Sequence, residues 1–449
     1  MNRKFLMFAF ALLSSTLYSV AQDDFYSDGI RYGIEDDSTV YVIHLGDIND
    51  YAPKDDADKY EGDIIIPSSV SYNGVEYHVQ GIYSYAFYKC DNLTSITISD
   101  GVNYIFDYAF AGCSNLTSVN IPNSISTVDA HAFENTAWYN AQPDGVVYIG
   151  KVAYQYKGTM AQNTSIVITD GTVSITEFAF ERYSNLVSIE IPSTVTSIGA
   201  YAFYGCTKLA SISVPESVTN IGIKAFEATA WYNAQPDGII YIGSMLYGHK
   251  GENSVGDTLV VKDGIKIINR QSVTRQSRLK ALIIPEGVMV IGVESFYHCE
   301  NLDSVSLPNS LILLSPFAFS ECVKLESITL PQNLLYIGYG SFESCNKLMS
   351  IRSMAVVPPL LLEGAFSSTV YENAVLYVPA ESVNAYKNAD GWNQFRNIQG
   401  VATNVNLIGN DNIAVRYYDL SGKMIDAPQN GLNIIKYNNG QTRKVFIEE

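Results

Sequence analysis

The side chains best suited to chemistry in this sequence are its six cysteines, its five histidines and its carboxylates. Converging thiols would hold zinc or form disulfides. All six instead stand three residues after a recurring phenylalanine, as Cys90, Cys113, Cys206, Cys299, Cys322 and Cys345. One thiol per repeat does not bring four ligands together, and stacked repeats set neighbouring thiols parallel rather than converging. The cysteines are therefore expected to be free and buried, where a small thiol packs well. His44, His78, His131, His249 and His298 are scattered, without metal-site spacing. The chain contains neither a Gly-x-Ser-x-Gly elbow nor a His-Glu-x-x-His motif. Gly145 to Lys151 opens like a phosphate-binding loop, but Val152 stands where Ser or Thr is needed and the stretch alternates like a strand. Carboxylates are abundant but dispersed, and a glycosidase pair about 5 to 9 Å apart needs a cleft that no long loop of the repeat would shape. The expectation is a non-enzyme with no catalytic residues, no metal and no cofactor; a secreted hydrolase is the most distant alternative.

Aromatic contact is the chemistry the residues favour instead. Ala137-Trp138-Tyr139-Asn140-Ala141-Gln142-Pro143-Asp144-Gly145 recurs unchanged as Ala230 to Gly238. Each copy runs into alternating stretches, Val146 to Gly150 and Val152 to Tyr156 in the first, Ile239 to Gly243 and Met245 to His249 in the second. Two short strands about a glycine turn predict a hairpin. Trp138, Tyr139, Tyr148, Trp231, Tyr232 and Tyr241 are the candidate ligand contacts, because Trp and Tyr supply rigid, amphipathic surface on which a protein or a sugar can rest. The same rings could pack each hairpin onto the body, the commoner fate of an aromatic side chain.

The element that must position these rings is a repeat. Phenylalanine recurs at Phe87, Phe110 and Phe133, at Phe180, Phe203 and Phe226, and at Phe296, Phe319, Phe342 and Phe366, in steps of 23 with a last step of 24. The two gaps of 47, Phe133 to Phe180 and Phe226 to Val273, hold the inserted segments. The unit reads Ala-Phe-x-x-Cys-x-x-Leu-x-Ser-Ile-x-Ile-Pro-x-x-Val-x-x-Ile-Gly, as in Ala202 to Gly222. Ile-x-Ile alternates as a short strand ended by proline. Val-x-x-Ile forms a second extended piece, and Ala-Phe-x-x-Cys a tight or single-turn helical corner. One such coil cannot bury its apolar side alone, so coils must stack. Outward strand positions such as Thr97, Asn120, Ser213 and Ser306 are small and polar, suited to stacking and solubility.

With this pattern the chain resembles the BspA-like (Treponema-type) leucine-rich repeats of secreted proteins from Bacteroides-like bacteria, over roughly residues 60 to 400. Asp28-Gly29-Ile30-Arg31-Tyr32 and Tyr72 to Tyr77 resemble that family's N-terminal cap; Leu376 to Pro379, Tyr386, Trp392 and Phe395 resemble its closing segment. The resemblance implies a β-rich leucine-rich-repeat solenoid, and a role in adhesion to host proteins, coaggregation or surface display.

The ends and the composition agree with export. Arg3 and Lys4, an apolar run from Phe5 to Leu13 and Ser19-Val20-Ala21 read as a signal peptide over residues 1–21. No later apolar run reaches spanning length, so the mature chain is expected to lack a transmembrane segment. A formal net charge of −18 argues against nucleic acid and anionic membranes. The expected organisation is an N-terminal β cap over 22–80, a solenoid over 81–367 with hairpin insertions near 134–160 and 227–253, a C-terminal cap over 368–400 and a β-rich tail over 401–449. In the tail, Tyr418 to Lys423, Gly431 to Ile435 and Lys444 to Ile447 resemble the sorting domain of type IX secretion cargo. The function expected is a secreted or cell-surface adhesin binding host extracellular or bacterial surface proteins. The alternative is a glycan-binding surface protein using the Trp/Tyr hairpins.

Overall fold

In the computed structural model, the described residues are 23–46, 59–401 and four strands of the tail between 414 and 447. The signal segment 1–21 lies outside them. The chain forms two compact units, Met1–Gln235 and Pro236–Glu449. Each is a β-solenoid.

In the first unit an antiparallel meander, Asp24–Ser27, Ile30–Ile34 and Thr39–Ile43, leads into Val75–Ile82, which then pairs in parallel with Tyr104–Ile105 and onward to Thr127–Val128. A second parallel sheet runs Gly62–Ile66, Leu93–Ile98 and Ser118–Asn120. After the first hairpin the coils resume through Ser174–Ile175, Ser197–Ile198 and Asn220–Ile221. The second unit repeats the plan from Met245–Lys250 to Leu360–Leu361. Its other side carries Thr258–Val260, Ala281–Ile283 and Ser304–Ser306, then Ser327–Leu330, Ser350–Ser353, Val375–Pro379 and Asn397–Val401. The tail is a four-stranded antiparallel sheet of Met424–Ile425, Ala414–Tyr418, Gly431–Tyr437 and Thr442–Ile447.

Parallel pairing carries the 23-residue period into space: Ser95 faces Ser118, and Ser197 faces Asn220. Within each run of repeats, successive buried phenylalanines therefore lie on one another. Ring centroids are 4.9 Å apart from Phe87 to Phe110 and from Phe110 to Phe133, and 5.2 Å from Phe296 to Phe319. The columns are closed by other rings. In the first unit Tyr60 lies 4.5 Å from Phe87, and in the second Phe395 and Trp392 cover Phe366 at 5.4 and 6.3 Å. Trp392 is fully buried and its Nε1 donates to the Pro359 carbonyl at 2.8 Å, satisfying the indole while filling the end of the core.

The corner takes the tight-turn form. Consecutive i→i+3 bonds, Tyr88 to Tyr85 and Cys90 to Phe87, alternate with left-handed residues such as Tyr85 and Lys89, so no helical turn propagates. The six cysteines are free and buried. Five of the thiols donate to the carbonyl of the phenylalanine-position residue one coil back, from Cys113 to Phe87 at 2.8 Å through Cys345 to Phe319 at 3.1 Å. Burial pushes the Cys299 thiol up to about 11 and Cys206 and Cys345 to about 12, which keeps them protonated donors rather than nucleophiles.

Candidate interaction surface

Each inserted segment begins with a short helix that the alternation did not predict, Ala137–Ala141 and Ala230–Ala234. Five residues cannot hold a helix alone. Buried Thr136 and Thr229 cap them, each hydroxyl accepting the N–H of the tyrosine three residues on, at 3.0 Å. The Trp138 and Trp231 amides then donate to the carbonyls of Leu116 and Leu209, docking each helix on the preceding coil. The Trp138 ring sits 5.1 Å from Phe133 and Trp231 5.9 Å from Phe226.

After the helices come antiparallel hairpins, Gly145–Ile149 with Val152–Lys157 and Gly238–Ile242 with Met245–Lys250. All six candidate contact rings are half-buried. Tyr139 donates to Gln155 Oε1 at 2.6 Å, and burial pushes its phenol up to about 12. Tyr148 and Tyr241 each use the phenol oxygen to accept a backbone N–H, from Thr169 at 3.0 Å and Lys262 at 3.2 Å. These hydroxyls tie the hairpins to the next coil. What the six rings leave for a ligand is their outer half, at two places 93 residues apart in the sequence.

A larger aromatic surface escaped the sequence reading. Two residues before the buried phenylalanines stand Tyr85, Tyr108, His131, Phe178 and Tyr201, all half-buried. Successive rings are 5.2, 4.9, 6.0 and 5.3 Å apart, forming a second, outer column in the first unit. The signal was the same 23-residue period two positions earlier, hidden because the residue type varies. Every rung has positive φ, between 54° and 61°, a conformation bulky side chains adopt at a cost. In the second unit the corresponding positions hold Gln271, Glu294, Phe317, Gly340 and Gly364. Four of these five positions carry no ring, so the coil closes without one.

Carboxylates line the middle of that outer column. Asp107 precedes Tyr108, Asp129 lies two residues before His131, and Glu177 precedes Phe178. The Asp107 Oδ1 is buried without a hydrogen bond, with His131 Nδ1 3.6 Å away. Burial, then the charge of Glu177 and of Asp107, pushes the Asp129 carboxyl up to about 7. Burial also raises Asp107, against the opposing pull of His131. The second unit carries a different arrangement. His298 bridges Glu300, at 2.8 Å, and Glu321 on the next coil, while Tyr297 donates to Glu321 at 2.8 Å. The hydrogen bonds from Tyr297 and His298 hold Glu321 below the usual carboxylate range. Among the described residues no group of three or more His, Cys, Asp or Glu side chains is placed to hold a metal ion, and no helix is long and apolar enough to cross a membrane.

Residues 80–161, 147–250 and 258–376 match the BspA type leucine-rich repeat region, in six copies. None of the curated proteins is a match for the chain. Among solved structures, a leucine-rich cell surface protein from Faecalibacterium prausnitzii is 20% identical, with 85% of this chain and 96% of that one covered and a TM-score of 0.27. The pneumococcal vaccine antigen PcpA is 18% identical, covering 85% of this chain and 100% of its own, with a TM-score of 0.33. A leucine-rich repeat protein from Bacteroides ovatus is 20% identical over 84% of this chain and 100% of that one, with a TM-score of 0.26. A repeat of this phase and extent, folded into stacked coils with a phenylalanine column at the core, makes the chain a member of the BspA-type leucine-rich-repeat family.

Proposed function

We propose that this protein is a secreted or cell-surface adhesin that binds host or bacterial macromolecules through the outward face of its coils. The observation that carries the reading is the outer aromatic column of the first unit, which the coil does not need in order to close and which leaves five rings half-exposed on a rigid core. Rigid Tyr and Phe surface costs little entropy to bury against a partner. Membership of a leucine-rich-repeat family supports the same reading. Glycan capture by the hairpins, through Trp138, Tyr139, Tyr148, Trp231, Tyr232 and Tyr241, is the second reading; the unchanged repetition of the Trp-Tyr segment favours it.

A solid-phase panel of extracellular-matrix proteins, mucins, plant polysaccharides and whole bacterial cells separates the two. Saturable binding of the mature chain to a protein or a cell surface is the expected result. Binding to polysaccharides alone, lost in Tyr139→Ala and Tyr232→Ala with Tm unchanged, would replace the adhesin by glycan capture. Turnover of a polysaccharide would overturn both.

Export in this reading rests on residues 1–21 as the signal peptide and 401–449 as a sorting tail. Deleting 401–449 is expected to leave the protein in the periplasm. Unchanged surface display of the truncated chain would remove the tail from the export route.

A further inference from the structure

The outer column in the first unit says something about the chemistry of its partner. Its rings lie face to face: Tyr85 on Tyr108 at 16°, Tyr108 on His131 at 7°, Phe178 on Tyr201 at 13°. A sugar stacks on the face of a ring, and these faces are occupied by their neighbours. The column presents ring edges, hydroxyls and, at its middle, the carboxyl groups of Asp107, Asp129 and Glu177. Apolar edges beside carboxylates fit a long aliphatic stem ending in a cation. Such a stem lies along apolar surface while its head pairs with the acid.

From this juxtaposition we infer that the outer column binds an extended, arginine- or lysine-rich segment of a partner protein, its basic heads on Asp107, Asp129 and Glu177 and its stems along Tyr85, Tyr108 and Tyr201. The inference rests on the adhesin reading and names the partner's chemistry.

Three further observations support it. The carboxyl of Asp129 is held above its ordinary range by burial and then by the charges of Glu177 and Asp107, and that of Asp107 by burial, and a cation docking beside them would pull both back down. The column's four steps of 4.9 to 6.0 Å span roughly 20 Å, matching about six extended residues at ~3.4 Å each. Side chains alternate along such a segment, so about three of its bases face the column. A chain of net charge −18 also steers a basic partner toward it.

The test uses the whole mature chain and a synthetic peptide of alternating arginine and serine, with its citrulline counterpart as the neutral probe. The arginine peptide is expected to bind saturably and the citrulline peptide at least tenfold more weakly. Asp107→Asn/Asp129→Asn/Glu177→Gln is expected to weaken arginine-peptide binding at least tenfold. The control Asp303→Asn/Glu326→Gln/Glu343→Gln removes as many carboxyl groups from the second unit and should change it less than twofold. Tyr85→Gln/Tyr201→Gln places at two rungs the residue that Gln271 already supplies in the second unit, so the coil is expected to fold; binding should fall at least threefold. Equal loss in the two charge variants would reduce the effect to net charge and overturn the inference, as would undiminished binding in the tyrosine variant. If the peptide fails to bind while the mature chain still binds proteins or cells in the panel, the inference falls and the adhesin reading stands.

Discussion

Phe319→Ala is expected to cost about 3–5 kcal/mol of stability, and Phe317→Ala, two residues earlier, less than about 1.5 kcal/mol. The two side chains belong to the same corner. Phe319 is fully buried between Phe296 at 5.2 Å and Phe342 at 5.7 Å, so its removal leaves a cavity that two flanking rings and a stack of coils cannot close. Phe317 sits half-exposed with φ of 56°, where the truncated ring returns much of its surface to water and leaves no internal void. The deletion has a second effect. A coil contacts only its neighbours, so weakening one interface lowers the coupling between the coils on either side. The urea transition of Phe319→Ala should therefore broaden as well as shift, with a smaller m-value. Equal losses in the two variants would mean that the inner column is not what holds the coils together.

Raising the pH from 4 to 8 is expected to destabilise the first unit, and Asp129→Asn to remove most of that loss. Asp129 occupies the glycine position of the repeat: Val128-Asp129 corresponds to Ile198-Gly199 and Ile221-Gly222. An added Cβ at Gly222 would come within 2.1 Å of the Ala200 backbone nitrogen, whereas Tyr83, Phe106 and Thr176 carry side chains at the same position of other coils. The first hairpin insertion follows that coil. There the half-buried carboxyl lies near Glu177 and Asp107, and its pKa rises from about 4 in the unfolded chain to about 7. A raised carboxyl favours the protonated folded state. Its contribution is fully present below pH 4 and is lost as the pH climbs from 4 through 7. Three units correspond to about 4 kcal/mol, and allowing for the part of the side chain that still meets water leaves about 2 kcal/mol or more. Asparagine keeps the shape and an acceptor but never ionises. At pH 8 Asp129→Asn should therefore be more stable than the parent by about 2 kcal/mol, and at pH 4 no more stable. A parent protein equally stable at pH 5 and pH 8 would show that Asp129 meets enough water to ionise freely.

Much of the inner fold is legible in the sequence, because the chain is its own template. A 23-residue period with phenylalanine, cysteine, leucine and isoleucine in fixed phase can bury those residues only by stacking one coil on the next, and lateral pairing then places each beside its own repeat. Phe203 on Phe180 and Cys206 donating to the Phe180 carbonyl follow from phase alone. The hairpins were legible for a similar local reason, since alternation about a glycine has few other solutions. The helix of Ala137–Ala141 was not: it is too short to stand by itself and exists because Thr136 caps it and Leu116 receives it. Nor could the sequence show that Tyr148 and Tyr241 spend their hydroxyls on backbone amides of the next coil. How much of the outer column and its acids stays exposed was decided by tertiary structure. Period says that two residues are neighbours in the stack, but not how much water each retains. Across the first insertion it does not say that His131 will meet Phe178, or Asp129 meet Glu177, just over two repeat lengths away. Desolvation and charge proximity belong to the folded surface, and they are what turn a run of unremarkable tyrosines and carboxylates into a candidate binding face.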